Sequence, residues 1–259
     1  MKDECVVFGN GHLANYLIAQ GAPNKLRWRQ VRANPLGGED VLAAAKRAVA
    51  AINCIAKTDL EWCEDNPREA WRSNVETPLM IYRALRPGVP FIHIGSGCIW
   101  ATSDKARTPS CPPNPPSFYG WTKCAADALL LAEARRENPI YILRPRQLYS
   151  PLVCSRNTLD KMRRYTALIS EPNSMTSAHT LYGAIRVCVC LGRVWPALAA
   201  QHLPPGIYNV ADCGVISPLE VGVMLHEAGL RDAPRRLTRA NLNSMQRVKR
   251  VSVVLDATR

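Results

Sequence analysis

Residues 5–14 read Cys-Val-Val-Phe-Gly-Asn-Gly-His-Leu-Ala. The apolar run Cys5–Phe8 carries no polar position, so a strand there buries both faces and belongs inside a sheet covered by helices on each side. Gly9 and Gly11 then allow a turn that a Cβ would obstruct. The helical pattern starting at His12 places unpaired N–H donors directly after the strand end. Gly9-x-Gly11-x-x-Ala14 is the strand–turn–helix pattern that cradles a dinucleotide pyrophosphate, although a plain tight turn can read the same way. The rhythm of the chain beyond the turn decides between them.

That rhythm alternates. A second strand is predicted over Lys25–Val31, a helix over Ala43–Ala50, and an apolar strand over Ala51–Ile55 passing Asn53. Asn66-Pro67-Arg68-Glu69 supplies a cap, a first-turn proline and an acidic third position, starting a helix that carries Asn74 and runs to about Leu85. Phe91–Ile94 and Tyr141–Pro145 read as fourth and fifth strands, with a helix between them that starts at Tyr119 and Lys123 and continues through Ala125, Leu129, Leu130 and Ala132. This alternation predicts an α/β Rossmann-type doubly wound parallel sheet with its ligand at the C-terminal strand ends.

From Ser150 the rhythm breaks. Arg156-Asn157 precedes a helix with Lys161, Glu171–Thr176 reads as a loop, and Leu181 to about Ala199 is helical. Gly206–Val210 is a strand rejoining the sheet, and Ser217 with Glu220 caps another helix. The predicted division is a cofactor-binding domain over 1–149, rejoined by about 181–212, and a small discontinuous C-terminal substrate lobe over 150–180 and 213–259.

At 259 residues and 47% hydrophobic content the chain can bury a full core. No apolar run approaches the ~20 residues of a membrane span, and no leader-like segment precedes Cys5. Ten cysteines are scattered through apolar segments, which favours a reducing, cytoplasmic setting over a disulfide scaffold, and no metal site is expected. The net charge of +12 is spread along the chain without a basic tail, so nucleic acid is not the expected partner. A homodimer is left open.

The end of the second strand bears on the cofactor. An NAD site wants a carboxylate there for the ribose hydroxyls; this chain has Gln30 among Arg27, Arg29 and Arg32. That favours NADPH, whose extra phosphate needs a cation, with NADH the alternate; arginines on a bare surface would look the same. The expected cofactor-binding residues are Gly9, Asn10, Gly11, His12, Leu13, Arg32, Asn53 and Lys123.

Chemistry concentrates between Gly95 and Lys123. Ser96 and Cys98 sit just past the Phe91–Ile94 strand, and Tyr119 and Lys123, four apart, share one helical face. A hydroxyl, a phenol and an ammonium suit protonation of a carbonyl oxygen as hydride arrives. The ammonium is expected to lower the phenol from its usual value of ~10.

Ser96, Tyr119 and Lys123 resemble the catalytic set of the extended short-chain dehydrogenases/reductases, and Asn74 falls where those enzymes carry an Asn that orders a proton relay. Asp59-Leu60-Glu61-Trp62-Cys63-Glu64, Ser73-Asn74-Val75, Gly97-Cys98-Ile99, Ser117-Phe118-Tyr119, Arg156-Asn157 with Lys161, and Pro172-Asn173-Ser174-Met175-Thr176 add detail. They resemble the nucleotide-sugar reductases that include dTDP-4-dehydrorhamnose reductase. Within these they are similar to the UDP-4-keto-6-deoxy-glucose 3,5-epimerase/4-reductases of UDP-rhamnose synthesis. The resemblance implies two activities in one pocket, with Cys98 and Lys161 as the acid/base pair of epimerisation. It further implies Ser96 and Tyr119 at the C4 oxygen, Lys123 at the nicotinamide ribose, and a nucleotide-sugar substrate held by Asn74, Asn157, Asn173 and Arg250. Taken alone, Cys98 reads equally as a small buried hydrophobe and Lys161 as a solvated helix residue. The chain departs from the family in its glycine turn, which lacks a third Gly, and in a short segment between Asn53 and Trp62. Two rivals stay open: a reductase without epimerase activity, and a non-catalytic NADP-binding regulatory subunit.

Overall fold

The computed structural model describes residues 4–23, 26–32, 39–103, 105–194 and 203–257. Its centre is a six-stranded sheet built from β1 (Glu4–Phe8), β2 (Arg27–Val31), β3 (Ala50–Asn53), β4 (Phe91–Ile94), β5 (Ile140–Pro145) and the later strand Gly206–Val210. The spatial order is β2, β1, β3, β4, β5 and then Gly206–Val210, and every pairing is parallel. The chain steps one way from β1 to β2 and the other way from β1 to β3, so a crevice opens beyond the C-terminal ends of those two strands.

Strand alternation divides the apolar residues between two layers. Val6 and Phe8 of β1, Phe91 of β4 and Ile140 and Ile142 of β5 face a core completed by α2 (Glu39–Arg47), α5 (Thr77–Arg83) and α6 (Phe118–Ala132). Cys5, Val7, Ile52, Ile92, Tyr141 and Leu143 face α1 (His12–Gln20) and α8 (Ala178–Val194). Both faces are covered, which is why these strands read as unbroken apolar runs.

Between β3 and α5 the chain forms α3 (Leu60–Asp65) and α4 (Pro67–Trp71), then a π-helical turn over Arg72–Glu76. Pro78 brings no N–H to the ladder at this point, and the backbone there loosens rather than breaks. Asn66 stands at the predicted cap position without making a side-chain cap bond; its amide donates to the Trp62 carbonyl at 2.9 Å and closes α3 instead.

Other boundaries differ from the sequence reading. Ala50 opens β3 rather than ending α2, and α8 starts at Ala178. Lys25 and the expected end of that helix at Ala199 lie outside the described residues. Two small sheets have no counterpart in the sequence reading. β6 (Leu148–Tyr149) pairs with β8 (Thr176–Ser177), and β7 (Ala167–Ile169) pairs with Arg235–Leu237. With α7 (Thr158–Arg164) and the helix Pro218–Glu227 they enclose a separate apolar cluster of Met162, Leu168, Met175 and Val221. Ser217 and Glu220 form the predicted capping box. Among the described residues no helix is long and apolar enough to cross a membrane.

Candidate active site

The glycine turn is built by close approach. Gly9 has φ +122°, and a Cβ there would lie 3.2 Å from the carbonyl carbon of Cys54 and 3.3 Å from its oxygen. Only glycine lets β1 and the end of β3 meet so tightly. Gly11 begins α1 with no side-chain cap, leaving the first N–H groups of the helix to an external acceptor. This is a cradle a pyrophosphate fits. Asn10 is exposed beside it, while Leu13 is buried in the core facing α8. The His12 side chain turns away from the cradle, its Nε2 2.6 Å from Ser150 Oγ, so what His12 and Leu13 can offer a phosphate is backbone rather than side chain. Gln30 Nε2 donates to the Gly9 carbonyl at 3.0 Å and to Asn15 Oδ1 at 2.9 Å, occupying the place expected of a ribose-binding acid. Arg32 is exposed just past β2.

Asn53 opens a buried polar chain. Its Oδ1 accepts from the Ile55 amide at 3.2 Å, which turns its Nδ2 toward His93 Nδ1 at 3.0 Å. His93 Nε2 in turn lies 3.3 Å from Lys123 Nζ, which also donates to the Ile94 carbonyl at 2.6 Å. With Nδ1 accepting, a neutral imidazole carries its proton on Nε2, which finds an acceptor at Lys123 only when that amine has lost its proton. Burial, with the Lys123 charge adding to it, holds His93 well below the usual histidine range. Burial also brings Lys123 down to about 8, against the opposing charges of Asp127 and Cys54.

One turn earlier on α6, Tyr119 is 7% exposed and packs with Cys63, Ala70, Trp62 and Cys98. The expected lowering of its phenol is not found. Burial pushes it up, Cys98 adds to the rise, and a hydrogen bond with Ser96 pulls only partly the other way. Ser96 also caps the turn Gly97–Ile99, accepting from the Cys98 amide at 3.0 Å. Gly120 fixes the approach of the helix: a Cβ there would stand 2.6 Å from the Cys98 carbonyl oxygen and 2.7 Å from Pro115 Cβ. Ser96, Cys98 and Tyr119 are therefore one contact group at the end of β4.

A sequence model of the NAD dependent epimerase/dehydratase family matches residues 12–184. The chain belongs to that family. It is 27% identical over 175 residues to a trifunctional UDP-glucose 4,6-dehydratase/UDP-4-keto-6-deoxy-D-glucose 3,5-epimerase/UDP-4-keto-L-rhamnose-reductase of Arabidopsis thaliana, covering 64% of this chain and 24% of that protein. It is also 27% identical over 181 residues to a bifunctional dTDP-4-dehydrorhamnose 3,5-epimerase/dTDP-4-dehydrorhamnose reductase of the same plant, covering 66% and 55%. The chain thus spans between a quarter and just over half of these relatives. Among solved structures it superposes on dTDP-4-dehydrorhamnose reductase of Bacillus anthracis in complex with NADP, with TM-score 0.81 at 17% identity over 98% of this chain and 90% of that one. The L780 UDP-rhamnose synthase of Acanthamoeba polyphaga mimivirus gives 0.77 at 17% identity, over 98% and 91%.

Against this epimerase/dehydratase background, the residues expected at the substrate divide. Asn74, on the π-helical turn, accepts from the Lys57 amide at 2.7 Å and donates to the Lys57 carbonyl and Thr122 Oγ1, each at 2.9 Å. Its amide is spent tying the segment after β3 to α6, so it orders the wall beside Lys123 and has no donor left for substrate. Asn157 is likewise committed: it accepts from the Ser150 amide and donates to the Ser150 and Leu152 carbonyls and to Asp160. Asn173 is fully buried, its Oδ1 accepting from Arg146 Nε at 2.9 Å and the Val253 amide at 3.1 Å. Arg250 pairs with Glu61 at 3.6 Å, leaving Nη1 without a partner.

Lys161 is half-buried, and burial lowers it; Asp59, the cap of α3, opposes that fall and Arg164 adds to it. The groups that act on its charge are Asp59, Arg164, Cys154 and Arg156, while Cys98 belongs to the Tyr119 group. Trp62 packs with the Tyr119 group, and its backbone amide donates to Asp59 Oδ1 at 2.9 Å. Sequence reasoning missed His93 and Arg146. His93 sits inside an apolar strand and gave no signal; Arg146 followed Pro145 in a visible Arg-Pro-Arg, a buried-strand end with two charges.

Proposed function

We propose that the chain is a bifunctional 3,5-epimerase/4-ketoreductase that converts UDP-4-keto-6-deoxy-D-glucose to UDP-L-rhamnose with NADPH. The convergence of Ser96, Cys98 and Tyr119 at the end of β4, one helical turn from Lys123, carries this reading. Gly9, Asn10, Gly11 and the backbone of His12 and Leu13 would hold the pyrophosphate, Arg32 the 2′-phosphate, and Asn53 and Lys123 the nicotinamide side. A bound nicotinamide would supply hydride to C4.

The rest of the chemistry falls to the protein. The C4 ketone acidifies its neighbours C3 and C5. Cys98 as base takes one of those protons, the C–H electron pair moves into an enolate on the C4 oxygen, and Lys161 returns a proton on the opposite face. Ser96 and Tyr119 donate to that oxygen, first as enolate and then as the alkoxide of reduction, where Tyr119 surrenders its proton. A phenol raised by burial stays protonated through neutral pH and serves as that acid. The segments 150–180 and 213–259 form the substrate lobe in this reading, with Asn173 and Arg250 nearest the sugar nucleotide. Ten cysteines outside any disulfide suit a reducing cytoplasm.

A second reading, reduction without epimerisation, is favoured by one observation: the groups that act on the Lys161 charge are Asp59, Arg164, Cys154 and Arg156, and Cys98 is not among them. Incubation of UDP-4-keto-6-deoxy-glucose with NADPH in D₂O, followed by NMR of the sugar, separates the two. UDP-rhamnose deuterated at C3 and C5, lost in Cys98→Ala, supports the bifunctional enzyme. A reduced, uninverted and undeuterated sugar leaves the reductase, and NADPH binding without consumption leaves a regulatory subunit. The dTDP substrate run in parallel identifies the base.

A further inference from the structure

We propose that Arg146 is a positioning residue that holds the Cys98 sulfur as a thiolate ready to accept a carbon proton. This rests on the epimerase half of the function proposed above. Arg146 follows β5 and is 7% exposed. Its Nε donates to Asn173 Oδ1 at 2.9 Å, its Nη2 to the Val251 carbonyl, and its Nη1 to Cys98 Sγ at 2.8 Å.

Two of those acceptors are neutral. Among the described residues no carboxylate forms an ion pair with Arg146. The contrast is two positions earlier, on β5 itself, where the similarly buried Arg144 carries Asp127 at 2.8 Å. A buried guanidinium without a counter-charge is costly, and Cys98 and Tyr119 are ionisable groups that interact with it among the described residues. A thiol ionises more readily than a phenol, ~8.5 against ~10 for the free side chains, and burial works against the Tyr119 phenolate. Sulfur is also the atom that Arg146 Nη1 reaches, at 2.8 Å.

The backbone is shaped for this contact. A Cβ on Gly97 would lie 3.3 Å from Arg146 Cδ and 3.2 Å from Leu255 Cδ2, so the glycine before Cys98 is what lets the arginine pass. Asn173 acquires a role that does not require it to touch the sugar: it aims the guanidinium. In the reaction the S–H bond forms as the C–H bond breaks, and the negative charge passes from sulfur to the enolate oxygen.

Alkylation with iodoacetamide at pH 7, read peptide by peptide by mass spectrometry, tests this without any sugar nucleotide. In the wild type, half-buried Cys98 is expected to react faster than Cys213, which is exposed. In Arg146→Met the Cys98 rate falls at least tenfold while Cys213 is unchanged, and Arg146→Lys recovers most of the rate. Fully buried Cys63 reports unfolding; if Arg146→Met labels there, the wild-type comparison and Arg146→Lys decide. A Cys98 no faster than Cys213, or a rate indifferent to Arg146→Met in a folded protein, overturns the proposal. Product formation in the sugar assay is a separate readout, so either result can fail without the other.

Discussion

Lys123 Nζ donates to the Ile94 carbonyl across 2.6 Å, at the point where β4 ends. Its other contact is the His93 ring, oriented by Asn53. The amine is therefore held against the strand that leads to Ser96, within a pocket that disfavours its charge. In the function proposed, a ribose hydroxyl arriving there would meet a nitrogen already in place rather than one swinging in solvent.

The lowered Lys123 has a stability consequence whose sign can be worked out. Its folded value of about 8 lies below its ordinary 10.5, so between those limits the unfolded chain binds more protons than the folded one. Stability from this group rises with pH across that window, and below about 8 its full penalty is present. Urea denaturation should show Lys123→Met gaining on the wild type most at pH 7, with the pH-dependent gain vanishing as pH nears 10.5. A difference that does not change with pH would contradict the burial argument.

Removing the phenol tests the reducing half. Tyr119→Phe keeps the ring in its apolar group and deletes the only proton it can give. NADPH oxidation with the keto sugar should fall by roughly 10²–10⁴-fold while cofactor affinity, measured by fluorescence titration, stays within a few-fold. Equal losses in both would assign Tyr119 to binding instead.

Two glycines in helices should respond oppositely to alanine. Gly120→Ala drives a Cβ into the Cys98 carbonyl and Pro115, and should cost about 1–3 kcal/mol in urea unfolding, with loss of turnover. Gly183 lies within α8 with nothing inside 4 Å of its missing Cβ. Gly183→Ala should add up to about 1 kcal/mol by helix propensity alone.

Asn157→Ala distinguishes a loop fastener from a substrate ligand. The side chain holds Ser150, Leu152 and Asp160 together, and its loss leaves buried groups unpaired. A loss of about 1–3 kcal/mol in unfolding free energy is expected. A stable variant with a raised KM would restore Asn157 to the substrate.

Much of the architecture was legible because each parallel strand is a short apolar run bounded by turn chemistry; Cys5–Phe8, Phe91–Ile94 and Tyr141–Pro145 announce themselves. The small sheets were not, because Leu148–Tyr149 and Arg235–Leu237 are too short to show a period and owe their form to partners far along the chain. Ser96, Cys98, Tyr119 and Lys123 could be placed near one another from strand ends and helical spacing. The expected effect of Lys123 on Tyr119 could not be judged from spacing, since burial outweighs the neighbouring charge. Asn74 and Asn157 looked like ligands because a motif records that an amide is needed, not whom it bonds. His93 and Arg146 reach their partners only through folding.

The contact between His12 and Ser150 joins positions 138 residues apart. As the chain leaves the ribosome, α1 and the first four strands of the sheet can assemble before that partner has emerged. The cradle is then open on one side, with the His12 ring unmoored and no wall across Gly11. The ordering of the nucleotide turn thus waits on the second half of synthesis: a nascent fragment can acquire the shape of the sheet well before it can hold anything in it.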